Sequence, residues 1–182
     1  MLEETKQLML SLKERWQSPA GKEMLEKVLL SMRLQQPWTS FLSTLPDVKD
    51  VLNGRDLRGA PLNGLDLNNL DFRDTSLEFI ELRGASLEYA DFRGSQLNHA
   101  DLSGAKLCKV NFEGCLMVRV NLAGANLASA HLASAALTGA NLVGANFSQA
   151  DLTNAVLFGA ETEGAIFDGA ILINTRFGKF AG

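Results

Sequence analysis

Residues 85–104 read ASLEY, ADFRG, SQLNH and ADLSG, four groups of five that each carry one large apolar side chain at the centre: Leu87, Phe92, Leu97 and Leu102. Outward from this stretch the register holds in both directions without a slip. It runs back through Phe72, Leu67 and Leu62 to Leu57, and forward through Phe112, Leu142, Phe147 and Phe167 to Leu172 and Phe177, 25 units in all. At that central position only Met117 and Thr162 are neither Leu nor Phe. A period of five matches neither an α-helix nor a strand. A strict period longer than either is the mark of a solenoid, in which each unit buries its apolar residue only by stacking on its neighbours.

Within a unit, let the large residue be position 0. Position −2 is Ala in 15 of the 25 units, among them Ala85, Ala90, Ala100 and Ala125. That marks a second, smaller inward position. Position −1 is often Asp or Asn (Asp66, Asp71, Asp91, Asn121, Asn141), and position +2 is often Gly, Asn or Ser, residues that tolerate the positive φ of tight turns. Each unit therefore reads as a short extended piece followed by a corner. Phe72, Phe92 and Phe112 lie twenty apart, as do Phe147 and Phe167, Arg73 and Arg93, and Asp71 and Asp91. Like residues stacking at that interval imply four units to a coil.

The consensus Ala-(Asp/Asn)-(Leu/Phe)-X-X, as in Ala90-Asp91-Phe92-Arg93-Gly94, Ala100-Asp101-Leu102-Ser103-Gly104 and Ala140-Asn141-Leu142-Val143-Gly144, resembles the pentapeptide-repeat family. The resemblance covers about two-thirds of the chain. It implies an all-β solenoid, a right-handed quadrilateral parallel β-helix; with 25 units this makes about six coils and a column of about 30 Å at a strand spacing of about 4.8 Å. The core residues it implies are Leu57, Leu62, Leu67, Phe72, Phe92, Leu102, Phe112, Leu142, Phe147 and Phe167.

Before the repeats, residues 1–49 lack the period and read as an α-helical cap, with the repeat column over 50–182. Leu8, Met9, Leu12 and Trp16 share one helical stripe, and Met24, Leu25, Val28, Leu29 and Met32 a second, opened by Ser18 as N-cap and Pro19 at the first helical position. A third piece is expected to hold Trp38, Phe41, Leu42 and Leu45, and a last turn Val48, Val51 and Leu52. The first coil of a solenoid exposes core side chains and an unpaired edge, and a cap covers both. The 182-residue chain has no apolar run near 18 residues and an acidic start, Met1-Leu2-Glu3-Glu4, unlike a signal peptide. A cytoplasmic protein with no membrane contact is expected, and two cysteines at different repeat positions argue against a disulfide framework.

Sorted at an interval of twenty, the outward residues fall on four faces. Three are acidic. The fourth has a positive sum from Asp56, Arg58, Glu78, Arg119, Arg176 and Lys179, and it gathers the apolar outward residues Phe79, Leu116, Val118, Val156 and Phe158. An exposed apolar stripe of this kind is covered by the chain's own helices or by a partner. The last coil adds Ile171, Ile173, Phe177 and Phe180, so a second copy docking end to end is a further expectation. The resemblance supports it, because end-to-end homodimers occur among the family members that bind DNA gyrase.

No catalytic, cofactor or metal constellation is present. His99 and His131 sit on different faces, and the recurring Asp residues belong to the repeat. The expected function is a non-catalytic protein-interaction scaffold with an unidentified partner and no cofactor. The alternative implied by the resemblance is a DNA-mimicking protein that binds DNA gyrase. Duplex DNA would carry roughly 18 charges over 30 Å, whereas residues 50–182 hold 15 acidic and 10 basic residues. With pI 5.2 and no basic stripe, direct nucleic-acid binding is not expected.

Overall fold

In the computed structural model, residues 3–37 and 55–178 are described, and they form two helices followed by a parallel β-helical column. Helix α1 spans Glu3–Gln17 and helix α2 Pro19–Arg33. Ser18 caps α2 with its hydroxyl accepting from the Gly21 N–H, and Pro19 follows at the first helical position. The two helices turn on each other tightly at Gly21, where a Cβ would lie 2.1 Å from the Arg15 carbonyl. Leu12, Trp16, Val28, Leu29 and Met32 are buried, while Leu8 is exposed rather than part of the buried stripe. Trp38, Phe41, Leu42, Leu45, Val48, Val51 and Leu52 lie outside the described residues, as do Lys179 and Phe180.

In the column each unit contributes one pairing residue, at position −1, bonded in parallel to the residue twenty further on, from Asp56 with Ser76 to Asp151 with Ile171. Longer pairing occurs at one place, where β1 (Val156–Phe158) pairs with β2 (Arg176–Gly178). The extended pieces are thus shorter than expected, because the corner takes positions +1 and +2.

The unit centred on Leu102 shows why the repeat has this composition. Ala100 N–H donates to Leu97 O at 3.0 Å across the corner, Asp101 N–H to Ile80 O at 3.0 Å one coil back, and Leu102 and Gly104 N–H to Asn121 O and Ala123 O at 2.8 and 2.9 Å one coil on. That leaves the Ser103 N–H, which donates to Asp101 Oδ1 at 3.1 Å. The Asp or Asn at −1 therefore satisfies the one backbone donor the ladder cannot reach, an Asx turn repeated up the column. Where −1 is apolar, another residue serves: at Leu116 the Val118 N–H is taken by Asn98 Oδ1 at 3.0 Å, one coil earlier.

Inside, positions 0 and −2 are closed to solvent from Leu70 to Leu157. Leu57, Leu62, Leu67, Phe72, Phe92, Leu102, Phe112, Leu142 and Phe147 are all fully buried beside Ala85, Ala90, Ala140 and their like. Phe72 and Phe92 stack at 4.6 Å between centroids, and Phe92 and Phe112 meet at 5.0 Å. Phe167 departs from the expected core: it is half-buried, stacked on Phe147 at 5.1 Å, because it belongs to the last coil and only one side of its ring is covered by a coil.

Candidate interaction site

The two ends of the column differ. At the first coil, three carbonyls of the kind that later coils bond to the coil before receive side-chain donors. Trp16 Nε1 donates to Arg58 O at 2.7 Å, Arg33 Nη2 to Asp66 O at 3.3 Å, and Arg55 Nη1 to Arg73 O. Beneath α1 the Asp56 carboxylate has no solvent exposure and is held by Arg15 Nη1 at 2.9 Å and by Arg58 Nε and Nη2, each at 2.9 Å. Burial pushes this carboxyl up, but the Arg58 hydrogen bonds and the two positive charges outweigh it and hold it below its usual range. Beside it Glu78 is raised, chiefly by burial, and its Oε2 is enclosed without a hydrogen-bond partner. The pairing under α1 takes Asp56 and Arg58 off the outward surface on which the sequence placed them.

The far end has no such cover among the described residues. Leu172 is 40% exposed, Phe177 47% and Ile173 60%, with Ile171 also open. The N–H groups of Phe167, Gly169, Leu172 and Asn174, which would donate to a further coil, find no backbone acceptor among the described residues. Among the described residues this end therefore presents apolar side chains together with a row of N–H groups that lack a backbone acceptor.

Between the ends runs the apolar face. Leu116 is 46% exposed, and Val118, Val156 and Phe158 are half-buried, with Ala136 and Thr138 between them. They form two columns, Leu116-Ala136-Val156 and Val118-Thr138-Phe158, on consecutive coils. The described helices stop short of it. Leu12, Lys13, Arg15, Trp16 and Arg33 meet the column at Gly59, Glu81, Asp56, Arg58 and Asp66, and Met32 and Gln35 face Arg55, Asn69, Asp71 and Arg73, all in the first two coils.

Phe79 corrects the expectation of a continuous stripe. It is 8% exposed, sits at a corner with φ 60°, and stacks on His99 at 5.2 Å. A corner residue in this conformation lays its ring along the column over the next corner instead of pointing away from the face. The interval of twenty between Phe79 and His99, both at +2, was the signal available in the sequence. Burial lowers the His99 pKa, and Arg119, next in the same corner column, adds to the effect.

The remaining charged groups are committed within the column. Asp71 is held to about 2 by hydrogen bonds from Arg73, against the opposing effect of partial burial, and Asp91 is bound in the same way by Arg93. Cys115 is buried with its Sγ 2.9 Å from Phe92 O, and burial pushes its pKa up to about 11, far from a reactive thiol. A hollow of about 620 Å³ at the end of α2 is lined by Met32, Gln35, Asn69, Arg55, Asp71 and Arg73, whose charges are paired with one another. Among the described residues no His, Cys, Asp or Glu cluster has the geometry of a metal site, and no helix is long and apolar enough to cross a membrane.

Residues 90–167 match the family described as pentapeptide repeat region. No curated protein matches the chain. Among solved structures the chain is similar to a pentapeptide repeat protein of the Arabidopsis thaliana thylakoid lumen, with 30% identity over 60% of this chain and 62% of that one and a TM-score of 0.37. It is also similar to the pentapeptide repeat protein Rfr23 of the cyanobacterium Cyanothece 51142 (24% identity, 84% and 99% covered, TM-score 0.35). A third is a trypsin-treated variant of QnrB1, a plasmid-mediated fluoroquinolone resistance protein (28% identity, 63% and 60% covered, TM-score 0.34). The chain spans about three-fifths of the length of the first and third of these. Residues 90–167 are thus similar to the pentapeptide repeat region, and the same five-residue register runs on unbroken beyond both ends of that match.

Proposed function

We propose that this chain is a non-catalytic protein-interaction scaffold. In this reading it is a right-handed quadrilateral β-helix of about six coils over residues 50–182, closed by a helical cap over 1–49 and working in the cytoplasm. The observation that carries it is the strip of Leu116, Val118, Val156 and Phe158, apolar outward positions that the described helices leave open. A monomeric protein rarely leaves such a strip without use. A photo-crosslinking residue at Thr138, inside the strip, should capture a protein in cells, while one at Ala128 on the opposite face should not. Equal capture from both positions, or none from Thr138, sinks the reading. Cell fractionation tests the location.

The open end favours a homodimer as a second property of the same scaffold. Exposed Ile171, Ile173 and Phe177 beside unpaired backbone donors are what a second copy related by a two-fold axis would cover. Sedimentation velocity should show a dimer at micromolar concentration that Ile173→Asp converts to a monomer. A wild-type monomer at about 100 μM removes the dimer.

The alternative of a DNA mimic on DNA gyrase comes from the family resemblance, and a fluoroquinolone resistance protein is among the similar structures. The side-chain pairing weighs against it, since Asp71 and Asp91 are each neutralised by a hydrogen-bonded arginine two residues on. A supercoiling assay with purified gyrase, with and without quinolone, decides. Inhibition or drug protection at micromolar protein restores the alternative, and no effect discards it.

A further inference from the structure

The geometry points to a short acidic, apolar peptide segment as the partner of the Leu116–Phe158 strip, an inference that rests on the scaffold reading and supplies the chemistry of its partner. The first observation is charge. Among the described residues Arg15, Arg55, Arg58, Arg73, Arg83 and Arg93 each have a carboxylate within 4.0 Å. Arg33 is spent on the Asp66 carbonyl. Arg119 and Arg176 are exposed, and no carboxylate of the described residues lies in ion-pair reach of either. Both flank the strip.

The second observation is what surrounds them. The units that build the strip, residues 115–119, 135–139 and 155–159, and residues 175–178 beyond them, hold no Asp or Glu. The other three faces are acidic by sum. The strip is thus an apolar surface with two guanidinium groups that no described carboxylate pairs, on a column whose other faces are acidic by sum, and long-range fields steer an acidic ligand toward it.

The third observation is spacing. Arg176 lies three coils from Leu116 along one pairing column, which is about 14 Å at the usual strand separation, and Arg119 sits three residues across the face, about 10 Å. The diagonal between the two backbones is about 17 Å, the length of about five extended residues. The segment that fits carries two or three large apolar side chains between carboxylates at either end. Each carboxylate receives an arginine fork, a geometry that favours bidentate pairing. A second copy of this chain offers only scattered apolar side chains on its acidic faces, such as Tyr89 and Val143, and not two or three in a row between carboxylates.

The test is selection of a random displayed twelve-residue peptide library on the full chain, followed by fluorescence anisotropy with the enriched peptides. Enriched sequences are expected to pair Asp or Glu with Leu, Ile or Phe. The double variant Arg119→Glu, Arg176→Glu should fold with an unchanged melting temperature, lose at least tenfold in affinity for them, and bind charge-swapped basic versions instead. Thr138→Glu should also lose at least tenfold. If the enriched peptides show no acidic excess, or the double arginine variant binds as well as wild type while Thr138→Glu does not, the acidic partner is wrong and the scaffold face stands. If Thr138→Glu and Leu116→Asp both bind like wild type, or no peptide is enriched over a blank surface, the face itself is not the site and both readings fall. Self-association abolished by the double variant would make the occupant a second copy and overturn the proposal.

Discussion

Replacing Trp16 by Phe tests how the first coil is sealed. The indole is almost completely buried, and its Nε1 reaches Arg58 O at 2.7 Å. In later coils the matching carbonyls, such as Glu78 O, accept from the coil before, here Gly59 N–H at 2.9 Å. At Arg58 O the Trp16 side chain donates in the manner of the backbone N–H that serves Glu78 O. Phenylalanine keeps most of the apolar contact and removes this donor from a part-buried carbonyl, at a cost of about 1–3 kcal/mol. For a chain of this size each kcal/mol shifts the melting temperature by about 2–4 °C. The control is Lys13→Met, which removes the partly exposed ion pair to Glu81 and should cost under about 1 kcal/mol. Thermal melts of both variants, with hydrogen exchange read at the amides of residues 55–75, form the assay. Trp16→Phe should melt lower and exchange faster in that first coil than Lys13→Met. A Trp16→Phe protein indistinguishable from wild type would refute the idea that the cap works by replacing lost backbone bonds, leaving burial alone as its role.

Phe92→Ala removes the middle ring of the Phe72-Phe92-Phe112 stack and should cost about 3–5 kcal/mol by urea denaturation; a loss under about 1 kcal/mol would mean the coils close on the gap. Glu78 has a raised pKa, so its ionised form is disfavoured in the fold and destabilises above that raised value. Glu78→Gln should therefore raise the melting temperature at pH 7, with the gain vanishing as pH falls below about 4.5, and a gain that persists at pH 3 would contradict this. The Asp71 carboxyl, lowered to about 2, contributes stability that is present above its unfolded value and lost as pH falls from about 4 toward 2. Asp71→Asn should flatten the melting temperature against pH across that window, and parallel curves for the two proteins would show that its pairing with Arg73 adds nothing to the fold.

The column was legible because its rule is local and repeated. Each unit of five states its own inward residue, its small companion and its corner, and the parallel bridges at an interval of twenty arise from that register. Alanine at −2 and Asp or Asn at −1 announced a packing limit and a missing hydrogen bond, though only the folded structure showed that the side chain at −1 serves the N–H at +1. The features that were not legible belong to the ends and corners, where the rule stops. The burial of Asp56 depends on where α1 lies, which no period encodes. The stacking of Phe79 on His99 depends on a left-handed backbone at a bulky residue, a conformation that sequence preference argues against. The half-covered Phe167 looks like any other unit until its distance from the last coil is counted. The apolar strip was visible as a set of residues, but its freedom from the described helices was not.

The fixed interval of twenty also makes the column an indexing device. Since a residue's side of the column depends only on its number modulo twenty, excising one complete unit, such as residues 125–129, keeps every inward side chain inward and every bridge partner twenty away. Only the addresses of the later residues change: Val156, Phe158 and Arg176 step round by one side, away from Leu116, Val118 and Arg119. Lineages that gain or lose single units can thus redistribute a surface pattern without disturbing the interior, a way of reshuffling the displayed side chains that folds with a less uniform relation between backbone and side chain do not permit.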